Sequence, residues 1–167
     1  MRLTVALLLT GLTVFPGAVA GQKRPSIASA IDRVSIEATA DPAEVKPGEN
    51  AVLRVNVKPD KGISVFAPGA KDFTSVLAMV MKPKGIKSMR PSFLTPPQKG
   101  KNPGNKKDVP LYKQSFRVDH VVTIAEDAKP GTDIMVTGSV TYQTFDDKNV
   151  YPRRTMPVRW TIHVVEP

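Results

Sequence analysis

Residues able to do chemistry are few in this 167-residue chain, and each belongs to a familiar but incomplete pattern. There is no cysteine, so thiolate nucleophiles, thiolate metal ligands and disulfides are all excluded. His120 alternates onto the same strand face as Phe116, Val118, Val122 and Ile124, which reads as a hydrogen-bonded core histidine. His163 falls opposite Val158, Trp160, Ile162 and Val164 and reads as exposed. Two histidines on separate strands, without carboxylates in a metal-ligand pattern, do not make a zinc site. Met79 and Met81 share a face and, with Met89, Met135 and Met156, offer thioethers of the kind that bind Cu(I). Core filling is the reading preferred for them, because methionine is ordinary packing material. Asp146 and Asp147 could be paired acid-base carboxylates, but in an Asp-Asp-Lys-Asn stretch they are expected to satisfy turn amides. No nucleophile elbow surrounds any serine or threonine. The sequence therefore predicts no catalytic residue, metal or cofactor.

The elements that must position these residues are strands. Apolar and polar residues alternate in 34–39, 51–58, 116–124, 134–142 and 158–164, the period of strands with one face on a core. Residues 75–81 are apolar on both faces and predict a more central strand. Turn dipeptides such as Pro47-Gly48 and Pro130-Gly131 punctuate the runs. The pattern predicts an all-β, immunoglobulin-like sandwich of about seven or eight mainly antiparallel strands.

At the amino terminus, Arg2 precedes a short apolar run that ends near Pro16-Gly17, followed by Ala18-Val19-Ala20. This predicts a cleaved signal peptide over residues 1–20, a flexible leader over 21–30 and one domain over 31–167, with the chain exported to the periplasm or secreted. An uncleaved amino-terminal anchor is the alternative. No later segment is apolar enough, for long enough, to span a bilayer as a helix.

The segment Tyr142-Gln143-Thr144-Phe145-Asp146-Asp147-Lys148-Asn149-Val150-Tyr151-Pro152 carries a resemblance. It is similar to the thiol-disulfide exchange motif of the N-terminal domain of the membrane thiol:disulfide interchange protein DsbD. There a Tyr-Gln pair leads into a cysteine, a short loop, a second cysteine and an aromatic-Pro step. Pro47-Gly48, residues 61–66 and residues 111–116 resemble further landmarks of that domain, so the likeness covers roughly residues 31–165 in order of elements. The resemblance implies an immunoglobulin-like periplasmic domain whose paired cysteines carry electrons from a membrane partner to periplasmic oxidoreductases. Phe145 and Val150 stand at those cysteine positions, and neither a benzyl nor an isopropyl group can attack a disulfide. The chain is thus expected to be non-enzymatic, with Tyr142, Gln143, Tyr151 and Pro152 kept as scaffold. Phe145, Val150 and Tyr151, flanked by Arg153 and Arg154, could form a partner contact; burial in the end of the sandwich is the competing reading for Phe145 and Val150.

Charge supplies a second candidate. Lys82, Lys84, Lys87, Arg90, Lys99, Lys101, Lys106 and Lys107 occur in residues 82–107 without one Asp or Glu, a local net charge of +8 in a chain whose total is +9. Residues 98–107 hold no large apolar group and predict a mobile loop. An anionic lipid or polymer surface is one partner such a patch would attract; a solvated loop that keeps the protein soluble is the other reading. Nucleic acid is disfavoured, because no aromatic side chains are interleaved for bases to stack on. The expected function is a redox-inactive binding or accessory module in the cell envelope, its partner another envelope protein. The alternatives are binding to anionic envelope surfaces, and an accessory role in thiol-disulfide interchange with cysteines supplied by the partner.

Overall fold

The computed structural model describes residues 33–93, 95–103 and 106–167. The expected signal peptide and leader lie outside the described residues. Twelve strands follow in chain order: β1 (Val34–Asp41), β2 (Glu44–Val45), β3 (Asn50–Pro59), β4 (Ser64–Phe66), β5 (Leu77–Met81) and β6 (Ile86–Phe93), then β7 (Gln98–Lys101), β8 (Asp108–Tyr112), β9 (Phe116–Ile124), β10 (Asp133–Tyr142), β11 (Thr144–Phe145) and β12 (Arg154–Val164). No helix among the described residues is long and apolar enough to cross a membrane.

Two four-stranded sheets, ordered β1-β3-β9-β6 and β2-β12-β10-β5, face each other as the sandwich. Six of their eight strands, β1, β3, β5, β9, β10 and β12, fall on the predicted segments, while β6 and the small β2, a parallel partner of β12, are additional to them. Alternation places Leu53, Val55 and Val57 of β3, and Val118, Val122 and Ile124 of β9, on the inner face of one sheet. Val136 and Val140 of β10 meet them from the other sheet with Trp160 and Ile162 of β12. Each fully buried aliphatic or aromatic side chain contributes about 1.5–3 kcal/mol relative to exposure. Trp160 also ties the layers together, its Nε1–H donating to the Arg54 carbonyl at 3.0 Å. The Trp160 ring packs under Gly138, where a Cβ would lie 2.4 Å from the Met79 carbonyl oxygen and 3.1 Å from the indole.

A third sheet, ordered β11-β4-β8-β7, extends the chain beyond the sandwich and has its own small core of Phe66, Ala70, Val109, Leu111 and Phe145. It includes part of the segment expected to be a loop. Residues 98–101 pair with 108–111 as β7 and β8, and the turn closes through Asn102 N–H to the Lys107 carbonyl at 3.0 Å. Gly100 makes the pairing possible, since a Cβ there would lie 2.4 Å from Leu111 Cδ2. The apolar segment around residues 75–81 is also placed differently from expectation. As β5 it forms the edge of its sheet, leaving Leu77, Met79 and Met81 exposed at 50%, 59% and 71%. Val76, Ala78 and Val80 turn to the core, so apolarity on both faces here reflects one buried face and one solvent-facing apolar face.

Candidate functional site

The hairpin from Tyr142 to Pro152 stands where β10 leaves the sandwich and the chain crosses into the third sheet. Tyr142 is buried in the main core, and its hydroxyl donates to Met156 Sδ at 3.4 Å. Gln143 then acts as a clamp. Its Oε1 accepts from the Thr74 amide at 2.9 Å, its Nε2 donates to the Tyr151 carbonyl at 3.0 Å, and its own carbonyl accepts from the Phe66 amide at 3.2 Å. One residue thus binds both arms of the hairpin to the loop that follows β4.

Phe145 and Val150 face each other as an antiparallel bridge. The flanking hydrogen bonds run from Asp146 N–H to the Asn149 carbonyl at 3.0 Å and from Tyr151 N–H to the Thr144 carbonyl at 2.8 Å. Phe145 and Val150 therefore form the narrow, non-hydrogen-bonded type of pair, with Cα atoms typically about 4.5 Å apart, a spacing a disulfide can bridge. The positions that resemble a cysteine pair are paired in space, although no sulfur is present. Their side chains part company. Phe145 is 4% exposed and stacks on Phe66 at 4.3 Å, which in turn stacks on Phe73 at 4.2 Å. Val150 is 37% exposed, so burial holds for Phe145 and fails for Val150.

The turn is built by Asp146. Oδ1 accepts from the amides of Lys148 and Asn149 at 2.8 and 2.7 Å, and Oδ2 accepts from the Tyr151 hydroxyl. Those bonds, the tyrosine hydroxyl first, hold the carboxyl far below the usual carboxylate range, while the same carboxylate pushes the Tyr151 phenol up. Both carboxylate oxygens of Asp146 are thus engaged within the turn, the role expected of it there. The Arg33 guanidinium lies 3.9 Å from the centre of the Tyr151 ring. Pro152 and Arg153 are exposed and Arg154 is half-buried, which gives this end of the molecule an open face of Val150, Tyr151, Pro152 and Arg153.

The remaining candidates are dispersed. His120 is buried, and burial lowers its imidazole pKa despite opposing contributions from Asp119 and a backbone hydrogen bond with Ala78. His163 is exposed and its Nδ1 lies 2.8 Å from Asp133. No group of three His, Asp or Glu side chains converges among the described residues. Met89 and Met156 pack on the core, but Met79, Met81 and Met135 are exposed, so core filling is corrected for those three. They still do not converge as a set. Met79 pairs with Ser139, which sets Met79 and Met135 about 13 Å apart along the strand direction, too far for both thioethers to share one ion.

The eight basic residues are divided between sheets. Lys87 and Arg90 lie on β6 of the sandwich, with Lys82 and Lys84 just before it, whereas Lys99 and Lys101 lie on β7 of the third sheet, with Lys106 and Lys107 in the turn after it. Acids from outside the segment neutralise part of the charge: Lys87 pairs with Glu126 at 2.8 Å and Lys101 with Asp108 at 2.7 Å. Both carboxyls are held below their ordinary range by these lysines. Arg33, Phe66, Phe73 and Thr74 are the site residues that the sequence pattern leaves out. They are remote in sequence from the hairpin, and nothing local in the chain connects them to it.

No protein-family model matches the sequence, and no curated protein does. Among solved structures, the chain is similar to the N-terminal periplasmic domain of ScsB from Proteus mirabilis, with a TM-score of 0.54 and 12% identity over 81% of this chain and 48% of that one. It is also similar to the DsbD N-terminal domain of Neisseria meningitidis in the reduced form, with a TM-score of 0.42 and 12% identity over 64% of this chain and 74% of that one. At such identities the likeness is one of fold, and the chain spans about half the length of the ScsB structure.

Proposed function

We propose that this chain is an exported, redox-inactive binding module of the cell envelope, whose sandwich end around residues 142–154 receives a protein partner. The observation that carries this is the Phe145–Val150 bridge: a fully hydrogen-bonded hairpin with the pairing of an exchange site and no atom capable of exchange. A site whose frame is held by Gln143 and Asp146, and whose outer face is Val150, Tyr151, Pro152 and Arg153, is suited to recognition. Phe145 belongs to the support beneath that face. The amino-terminal pattern and the likeness to a periplasmic domain support export.

The test separates contact from support. A photocrosslinking amino acid at Val150 in the full chain, expressed in the source cell, is expected to capture one envelope protein; Val150→Asp introduced beside a crosslinker at Arg153 should abolish that adduct without changing the thermal melt. Phe145→Asp is expected to unfold the third sheet. Insulin reduction by the purified chain should stay at the uncatalysed rate. Turnover in that assay, or undiminished capture by Val150→Asp, would overturn the reading. A thiol-disulfide protein as the captured partner would place the module in such a pathway as an accessory.

A further inference from the structure

The outer face of the β2-β12-β10-β5 sheet carries a feature that the hairpin does not use. Leu77, Met79, Met81 and Met135 account for four of the six large hydrophobic side chains that are exposed among the described residues. The first three stand in a row along edge strand β5. Met81 pairs with Thr137, which makes Met135 its diagonal neighbour on β10, so the row continues across the sheet. Met135 then lines a cavity of about 470 Å3 with Pro83, Ala128 and Ile134, and with Lys84 and Lys129. Asp127 and Asp133 also line it, Asp133 lying 2.8 Å from His163 Nδ1, so the cavity rim carries two carboxylates as well as two ammonium groups. The row is thus an apolar track that ends in a cavity with Met135, Ile134 and Ala128 in its wall and charged residues of both signs at its rim, while the exposed charges along the track itself, Lys82, Arg153 and Arg159, are all positive.

Charge selects the occupant. Strands β5, β10 and β12 contain no acidic residue except Asp133, while Arg159 on β12, Lys82 and Lys84 after β5, and Arg153 before β12 are all exposed. A second copy laid on this face would oppose like charges. A bilayer surface would be met by a face with no exposed large aromatic side chain, the group that anchors proteins at that depth. Flexible thioethers on a flat strand surface instead suit the irregular side chains of a polypeptide. We propose that this track binds an extended, acidic segment of a partner protein, with one apolar side chain seated in the Met135 socket and carboxylates directed at Lys84 and Lys129. The site goes beyond the hairpin and would operate whether or not the hairpin has a partner.

The full chain is tested with a photocrosslinking amino acid at Met79 or Met81, and at Thr39 on the opposite sheet as a control, in the source cell. The proposal expects a protein adduct at Met79 and Met81 that exceeds the control, maps to a segment rich in Asp and Glu, and falls about tenfold in the Lys84→Glu/Lys129→Glu background, the effect of turning two rim attractions into repulsions. That double variant should melt as the parent does, and an adduct from a crosslinker at Val150 should persist in it, so failure of the track and failure of the hairpin reading are distinguishable. Adducts only to lipid or to a second copy, a mapped segment without carboxylates, a yield at Met79 and Met81 no greater than at Thr39, or a yield indifferent to the charge reversals would each overturn the proposal.

Discussion

At the scale of single residues, two features of the hairpin and one of the core lead to measurable consequences. Phe145 and Val150 form a narrow antiparallel pair, so Phe145→Cys/Val150→Cys is expected to oxidise spontaneously in air. Thiol titration under denaturing conditions should find no free thiol before reduction and two after it; two free thiols before reduction would show that the pairing is wider than the bridge implies. The loss of the Phe145 ring from the Phe66 stack would lower stability at the same time, because a large buried side chain becomes a small one. His120 gives a pH dependence. Burial lowers its pKa in the fold, so the unfolded chain binds the proton more readily. Its contribution to stability is complete above the ordinary imidazole value of about 6.5 and declines as pH falls from there toward the lowered folded value. Urea unfolding at pH 7.5 and pH 5 should show that loss, and His120→Gln, which cannot titrate, should show less of it. An equal loss in the variant would assign the effect to other groups.

At the scale of elements, what could be read from the chain depended on length and on which residues lined an edge. The five alternating runs each fell within a strand of the sandwich, because eight or more residues with one buried face impose a period that survives inspection. Strands β2, β4 and β11 have two or three residues and carry no period. Residues 98–101 were disguised by their lysines, which sit on an edge strand where charged side chains remain in water. The hairpin frame was legible because its Tyr-Gln and Tyr-Pro steps are local, while Thr74, Phe73 and Arg33 reach it only through the fold. Close approach between elements gives the next prediction. Gly138→Ala would drive a Cβ to 2.4 Å from the Met79 carbonyl and against Trp160, forcing β5 away from β10. The expected loss is about 1–3 kcal/mol, the usual range for overpacking. Urea unfolding measures it against Thr137→Ala, a neighbouring change that adds no atom, and a difference under about 0.5 kcal/mol would mean that the strands shift apart freely.

At the scale of the whole molecule, the question is how a two-layer core and a separate third-sheet core act as one body. The two clusters are distinct, with Trp160 and Tyr142 in the larger and Phe66 and Phe145 in the smaller. The chain passes directly from one to the other at Val65–Phe66 and Leu111–Tyr112, and the Gln143 side chain adds two hydrogen bonds that hold the post-β4 loop and the returning arm of the hairpin together. A net contribution of about 0.5–1.5 kcal/mol for each such bond is small beside the sandwich core but large for a five-residue cluster that must keep a loop ordered. Gln143→Ala should therefore act unevenly. The amides of Thr74 and Tyr151 are expected to exchange with solvent about tenfold or more faster, as local opening becomes less costly, while amides paired between β3 and β9 keep the protection set by global unfolding. Hydrogen exchange read residue by residue distinguishes this from a uniform loss. If β3 and β9 lost protection in the same proportion as Thr74, the third sheet and the sandwich would be one cooperative unit; if only the hairpin responds, the recognition face rests on a part of the molecule that can be loosened without unfolding the domain beneath it.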